Sequence, residues 1–138
     1  MEQARKILSA EGFTCVLHKN DTLYTATERG VKPLVRWLTE GIDVRGFSAA
    51  DKVVGRATAY LYVLLGVKEV WAAVMSEAAA EVLSRHGIEA FQDKSVPHII
   101  NRAGTGICPF EEAVLEIHTP EEALIAIRKK MEQMNITL

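Results

Sequence analysis

Residues 48–66 read SAADKVVGRATAYLYVLLG, and the fold turns on how this stretch is read. Ser48 followed three residues later by Asp51 has the form of a helix N-cap with an acid in the first turn. The apolar run from Ala57 to Leu65 then predicts a long core helix that ends at Gly66. Lys52 and Arg56, four residues apart, would share one face of that helix beside Asp51. Such a face is either the wet stripe of a core helix or the edge of a pocket.

The flanking segments set this helix in an α/β chain. Upstream, Glu2–Ala10 has helical spacing and Gly12 as its stop. FTCVLHKNDTLYTAT, residues 13–27, carries two β-rich runs around Asn20-Asp21, a hairpin signal. GVKPLVRWLTEG, residues 30–41, predicts a second helix. Downstream, VKEVWAAVM, residues 67–75, is a near-continuous apolar run expected of a strand covered on both faces. Ser76 caps the next helix, IEAFQ (88–92) reads as a strand, and VPHII (96–100) as a further one. NRAGTGICPFEEAVLEI (101–117) is a glycine-bearing loop that enters a short helix at Pro109. In the last helix Thr119, Pro120 and Glu122 form a capping box. The alternation predicts one domain over residues 1–138, a three-layer α/β/α sandwich around a mixed sheet whose later strands are parallel. Ligands of such sheets bind at the carboxyl ends of strands. The loops before Ser48, around Ser76 and over 101–108 are therefore expected on one rim.

Composition narrows the function classes. With 138 residues, 49% hydrophobic, 25% charged and a net charge of −2, the chain suits a globular protein and lacks the basic stripe of a nucleic-acid binder. No apolar run is long enough to span a bilayer, and MEQARKILSAEGF lacks the apolar core of a secretory signal. A cytoplasmic location is expected, and the two distant cysteines imply no disulfide framework. The four histidines are scattered, and neither C-x-x-C nor H-x-x-x-H occurs, so no metal or cofactor is expected.

Several residues have the chemistry of a site. Asp51 is a carboxylate at a helix start. Asn101, Arg102 and Thr105, with Gly104 and Gly106, suit a phosphate near the helix that follows Pro109. Cys108 precedes that helix, where the dipole favours a thiolate. Each has an ordinary structural alternative: a cap, a plain loop, a buried thiol.

The joint pattern of AADKVVG (49–55), VMSE (74–77) and INRAGTGICP (100–109) resembles a small prokaryotic family of unknown function with a cytidine deaminase-like fold. Zinc deaminases carry His-x-Glu and Pro-Cys-x-x-Cys at the two site helices. Against that pattern this chain has Ala49-Ala50-Asp51 and Met75-Ser76-Glu77-Ala78-Ala79, so all three metal ligands are absent. The resemblance implies a vestigial pocket between two helix N-termini, suited to a nucleotide-type small molecule. Ser48, Asp51, Lys52, Ser76, Glu77, Asn101, Arg102 and Thr105 are its candidate ligand-binding residues. It also implies a homo-oligomer, while the interleaved charges and the short apolar runs give no expectation of nucleic acid or membrane as partner. Two alternatives stay open. One is an enzyme without metal that uses Asp51 as base or nucleophile, assisted by Cys108. The other is a structural or interaction protein that has lost the site.

Overall fold

The computed structural model describes residues 1–101 and 104–138. The chain runs through helix α1 (Glu2–Glu11), strands β1 (Cys15–Lys19) and β2 (Thr22–Ala26), helix α2 (Lys32–Glu40) and strand β3 (Ser48–Val54). It continues through α3 (Arg56–Leu65), β4 (Glu69–Ser76), α4 (Glu77–Arg85), β5 (Glu89–Val96), α5 (Pro109–Ala113) and α6 (Pro120–Gln133). The sheet order is β2-β1-β3-β4-β5. β1 is antiparallel to both β2 and β3, whereas β3, β4 and β5 are parallel. This is the expected mixed α/β sheet with helices on both faces.

The hairpin turns at Asn20, whose φ of 54° is the left-handed conformation that asparagine tolerates. Ser76 caps α4 by accepting from the Ala79 amide, and Thr119 caps α6 by accepting from the Glu122 amide. The larger core lies between the sheet and α2, α3 and α4, and α5 and α6 join it through Phe110, Ala123 and Ile127. On the other face α1 packs Ala4 and Leu8 against Val16, Ala50 and Trp71. The sheet's pleat separates the two: Ala49 and Ala72 face the larger core, Ala50 and Trp71 face α1.

The opening stretch differs from its sequence-based expectation. Ser48–Val54 is not the first turn of a long helix but the central strand β3, bonded by β1 on one side and β4 on the other. Gly55, with ψ of −178°, is the extended N-cap at which α3 begins. Strand pairing on both edges satisfies the backbone of 48–54 as fully as a helical turn would, and it buries Ala49 and Ala50 between two layers. Ser48 is therefore no cap, and Asp51 no first-turn acid. Lys52 and Arg56 do not share a helical face, because Lys52 sits in the strand. A second correction concerns 96–100. β5 runs on to Val96, and beyond it Ile100 makes a single antiparallel bridge to Ile107 rather than a strand of its own.

Candidate functional site

Because β3, β4 and β5 are parallel, their carboxyl ends, Val54, Ser76 and Val96, lie on one edge. The helix starts of α3 and α4 lie there too. The expected rim is thus real at Ser76 and Glu77, but Ser48 lies at the other end of β3. It pairs with Glu69 across the ladder, and its hydroxyl donates to the Glu69 carboxylate. The error follows directly from reading β3 as helix, since the strand places some 20 Å of backbone between its two ends.

Helix α5 brings Glu111 to the start of α3. The Arg56 amide donates to Oε1 of Glu111 at 2.6 Å, and the Ala57 amide donates to Oε2 at 2.8 Å. One carboxylate thus satisfies two of the free amides of the helix, on the positive end of its dipole. Glu111 is only 8% exposed, and burial holds its carboxyl above the ordinary glutamate range against the pull of these two amides. Gly55 leaves room for this arrangement: a Cβ at this position would force the Glu111 carboxylate to shift. Arg56 secures the same region from the other side. Its Nη2 donates to the Ile117 carbonyl and lies 3.4 Å from Nδ1 of His118, while Tyr60 donates to the Ile117 carbonyl at 3.0 Å.

A second polar cluster lies inside the larger core. The Tyr62 hydroxyl donates to Oδ2 of Asp51 at 2.6 Å, and Sγ of Cys15 is 3.0 Å from the same hydroxyl. Cys15 and Asp51 are directly paired across β1 and β3, and Tyr62 reaches them from α3. Oδ1 of Asp51 accepts from the Val53 amide at 3.3 Å. Burial pushes the Asp51 carboxyl up to about 6, opposed by the hydrogen bond from Tyr62. Burial likewise raises the Cys15 thiol and the Tyr62 phenol well above their ordinary ranges, helped by the Asp51 charge. Cys15 is thus a protonated thiol at neutral pH, a poor nucleophile.

The other candidates are dispersed. Lys52 is exposed on β3, its amide bonded to the Thr14 carbonyl. Asn101 and Thr105 close a turn on each other, with the Thr105 amide donating to Oδ1 of Asn101 at 3.1 Å and Nδ2 of Asn101 donating to the threonine hydroxyl at 3.2 Å. Gly104 in that turn has a φ of 70°. Arg102 lies outside the described residues. Cys108 is the N-cap residue of α5, a helix of five residues, and makes no side-chain capping bond. Among the described residues no three His, Cys, Asp or Glu side chains converge as a metal site would need.

Sequence reasoning missed Glu111, Tyr62 and Cys15. Glu111 reads locally as an ordinary first-turn acid after Pro109, and its partners are 54 and 55 residues away. Tyr62 and Cys15 read as apolar core.

Fold and edge together define a mixed-sheet α/β domain with two helix starts at the carboxyl ends of its parallel strands. The chain belongs to the DUF1893 family: the family model described as TM1506, a domain of unknown function, matches residues 3–131. Its fold is similar to that of a DUF1893 family protein, TM1506, from Thermotoga maritima, with a TM-score of 0.86 and 27% identity over 94% of this chain and 88% of that one. No curated protein matches the chain. No helix among the described residues is long and apolar enough to cross a membrane.

Proposed function

We propose that the chain is a deaminase-like domain, without the zinc motifs, that binds a nucleotide-type ligand at the carboxyl edge of β3 and β4. The observation that carries this reading is the Glu111 carboxylate held by the Arg56 and Ala57 amides. A ligand phosphate has the charge and the paired oxygens to take the same two donors, and a helix start favours it. Ser76 and Glu77 at the start of α4, with Asn101 and Thr105 in the connection beyond β5, are the sequence candidates nearest this edge along the fold. Asp51 serves the site indirectly in this reading. It holds β3 to α3 through Tyr62, just below the α3 start, and is not itself a ligand contact or a base.

Calorimetry with nucleosides and their mono-, di- and triphosphates tests the proposal. Heat is expected from the phosphorylated compounds and not from the bare nucleosides. Glu111→Ala, which frees both amides, should bind the same compound at least several-fold more tightly. No heat from either protein at millimolar nucleotide overturns the reading. So does equal binding of nucleoside and nucleotide, because the phosphate would then contribute nothing.

A further inference from the structure

Cys15, Asp51 and Tyr62 come from three different elements, β1, β3 and α3, and are 2%, 8% and 0% exposed. The Tyr62 hydroxyl lies 2.6 Å from Oδ2 of Asp51 and 3.0 Å from Sγ of Cys15, so the three groups form one chain. The remaining surroundings of the carboxyl group are neutral. β4 sets Ala72 beside Asp51, and α1 packs on the opposite face of the sheet. No lysine, arginine or histidine among the described residues forms a salt bridge with it. Besides Tyr62, Asp51 accepts from the Val53 amide at 3.3 Å. A carboxylate buried without a cation is costly, whereas the protonated acid is not. Loss of the proton therefore favours any movement that brings water to Asp51.

The topology decides which element can move. α3 is held on most sides, with seven of its ten residues buried, and β3 is the central strand. The start of β1 is held far less. Cys15–Asp51 is the last of the four residue pairs that join β1 to β3. Beyond it one further bond follows, from the Lys52 amide to the Thr14 carbonyl, before Gly12 ends α1 in the left-handed conformation. Thr14 is tied more firmly to the neighbouring strand. Its amide donates to the Ala26 carbonyl at 2.8 Å and its hydroxyl to the Glu28 carbonyl at 2.6 Å. The open end of the hairpin, residues 13–15 with 26–28, can thus lift from β3 as one piece. The other three β1–β3 pairs stay in place, and local openings of this kind cost less than global unfolding.

We infer that the Cys15–Asp51–Tyr62 cluster is a proton-operated latch. A proton on Asp51 keeps the open end of the β1–β2 hairpin closed on β3, and its loss lets that end lift. In the lifted state Asp51 is hydrated and Cys15 meets solvent. The Asp51 carboxyl titrates at about 6 when closed, against about 3.9 for a hydrated aspartate, so the latch responds in mildly acidic solution.

Thiol labelling of the wild-type chain tests this. A dipyridyl disulfide reacts with thiols in acid as well as at neutral pH, and peptide mass spectrometry separates Cys15 from Cys108. The Cys15 rate, divided by that of a short cysteine peptide in the same buffer, gives the fraction lifted. This fraction should rise roughly tenfold from pH 5 to pH 7 and stay flat in Asp51→Asn. Low urea should leave it unchanged, because lifting one end exposes little surface. A fraction that stays flat with pH in the wild-type chain overturns the inference, whether or not Asp51→Asn folds. So does an equal rise in Asp51→Asn. A rate that climbs with urea as steeply as global unfolding also overturns it, since Cys15 would then open only with the whole chain.

Discussion

Tyr62 donates its hydroxyl proton to Asp51 at 2.6 Å across the turn that joins β3 to α3, and the same oxygen meets the Cys15 thiol. All three groups are buried, so the contact is the polar pin of an otherwise apolar layer. Buried polar groups are destabilising when left unpaired, and here each has its partner.

The pin makes stability depend on pH. Burial raises the Asp51 carboxyl to about 6, whereas an unfolded aspartate titrates near 3.9. The folded state therefore holds this proton more tightly than the unfolded chain. The contribution is full below about pH 4 and falls as pH rises through about 6, by roughly 3 kcal/mol. In urea titrations, the stability of wild type minus that of Asp51→Asn should drop by this order between pH 4 and 7. A difference that stays flat would show that the carboxyl is not shifted.

Tyr62→Phe removes the donor and leaves both Asp51 and Cys15 without their shared partner. Destabilisation of about 1–3 kcal/mol is expected at pH 7. The Asp51 midpoint should also move further up, because the lost hydrogen bond favoured the ionised form. The pH dependence of unfolding, measured on this variant, reads both effects.

Gly55→Ala drives a methyl group into the Glu111 carboxylate. Its φ of −101° suits any residue, so the effect comes from the collision and not from backbone strain. A loss of about 1–3 kcal/mol is expected. In the Glu111→Ala background the same change should be clearly milder, and a thermodynamic cycle over the four proteins measures the coupling. Strict additivity would mean that the two residues do not meet.

Ser76→Ala deletes the cap of α4, in which Oγ accepts from the Ala79 amide at 3.1 Å. A loss of about 1 kcal/mol is expected from the denaturation midpoint.

Local signals in this chain act over a few residues, and those were legible. Asn20-Asp21 announces its hairpin, Ser76 and Thr119 announce their helices, and the apolar run before Ser76 announces a covered parallel strand. The order of elements, and with it the α/β class, follows from these, because turns and caps are satisfied by neighbours in sequence. Ser48–Val54 carries a conflicting signal, since Ser-Ala-Ala-Asp is good helix chemistry and the segment is too short for its period to decide. Its state was decided by β1 and β4, whose backbone groups flank it in the fold. The same holds for the two polar clusters. Cys15, Asp51 and Tyr62 meet only because the β1–β3 register sets the first two opposite each other and α3 lies over them. Glu111 reaches the α3 amides only once α5 has packed beside the start of α3. Contacts across such distances depend on register and packing, which only the assembled sheet supplies.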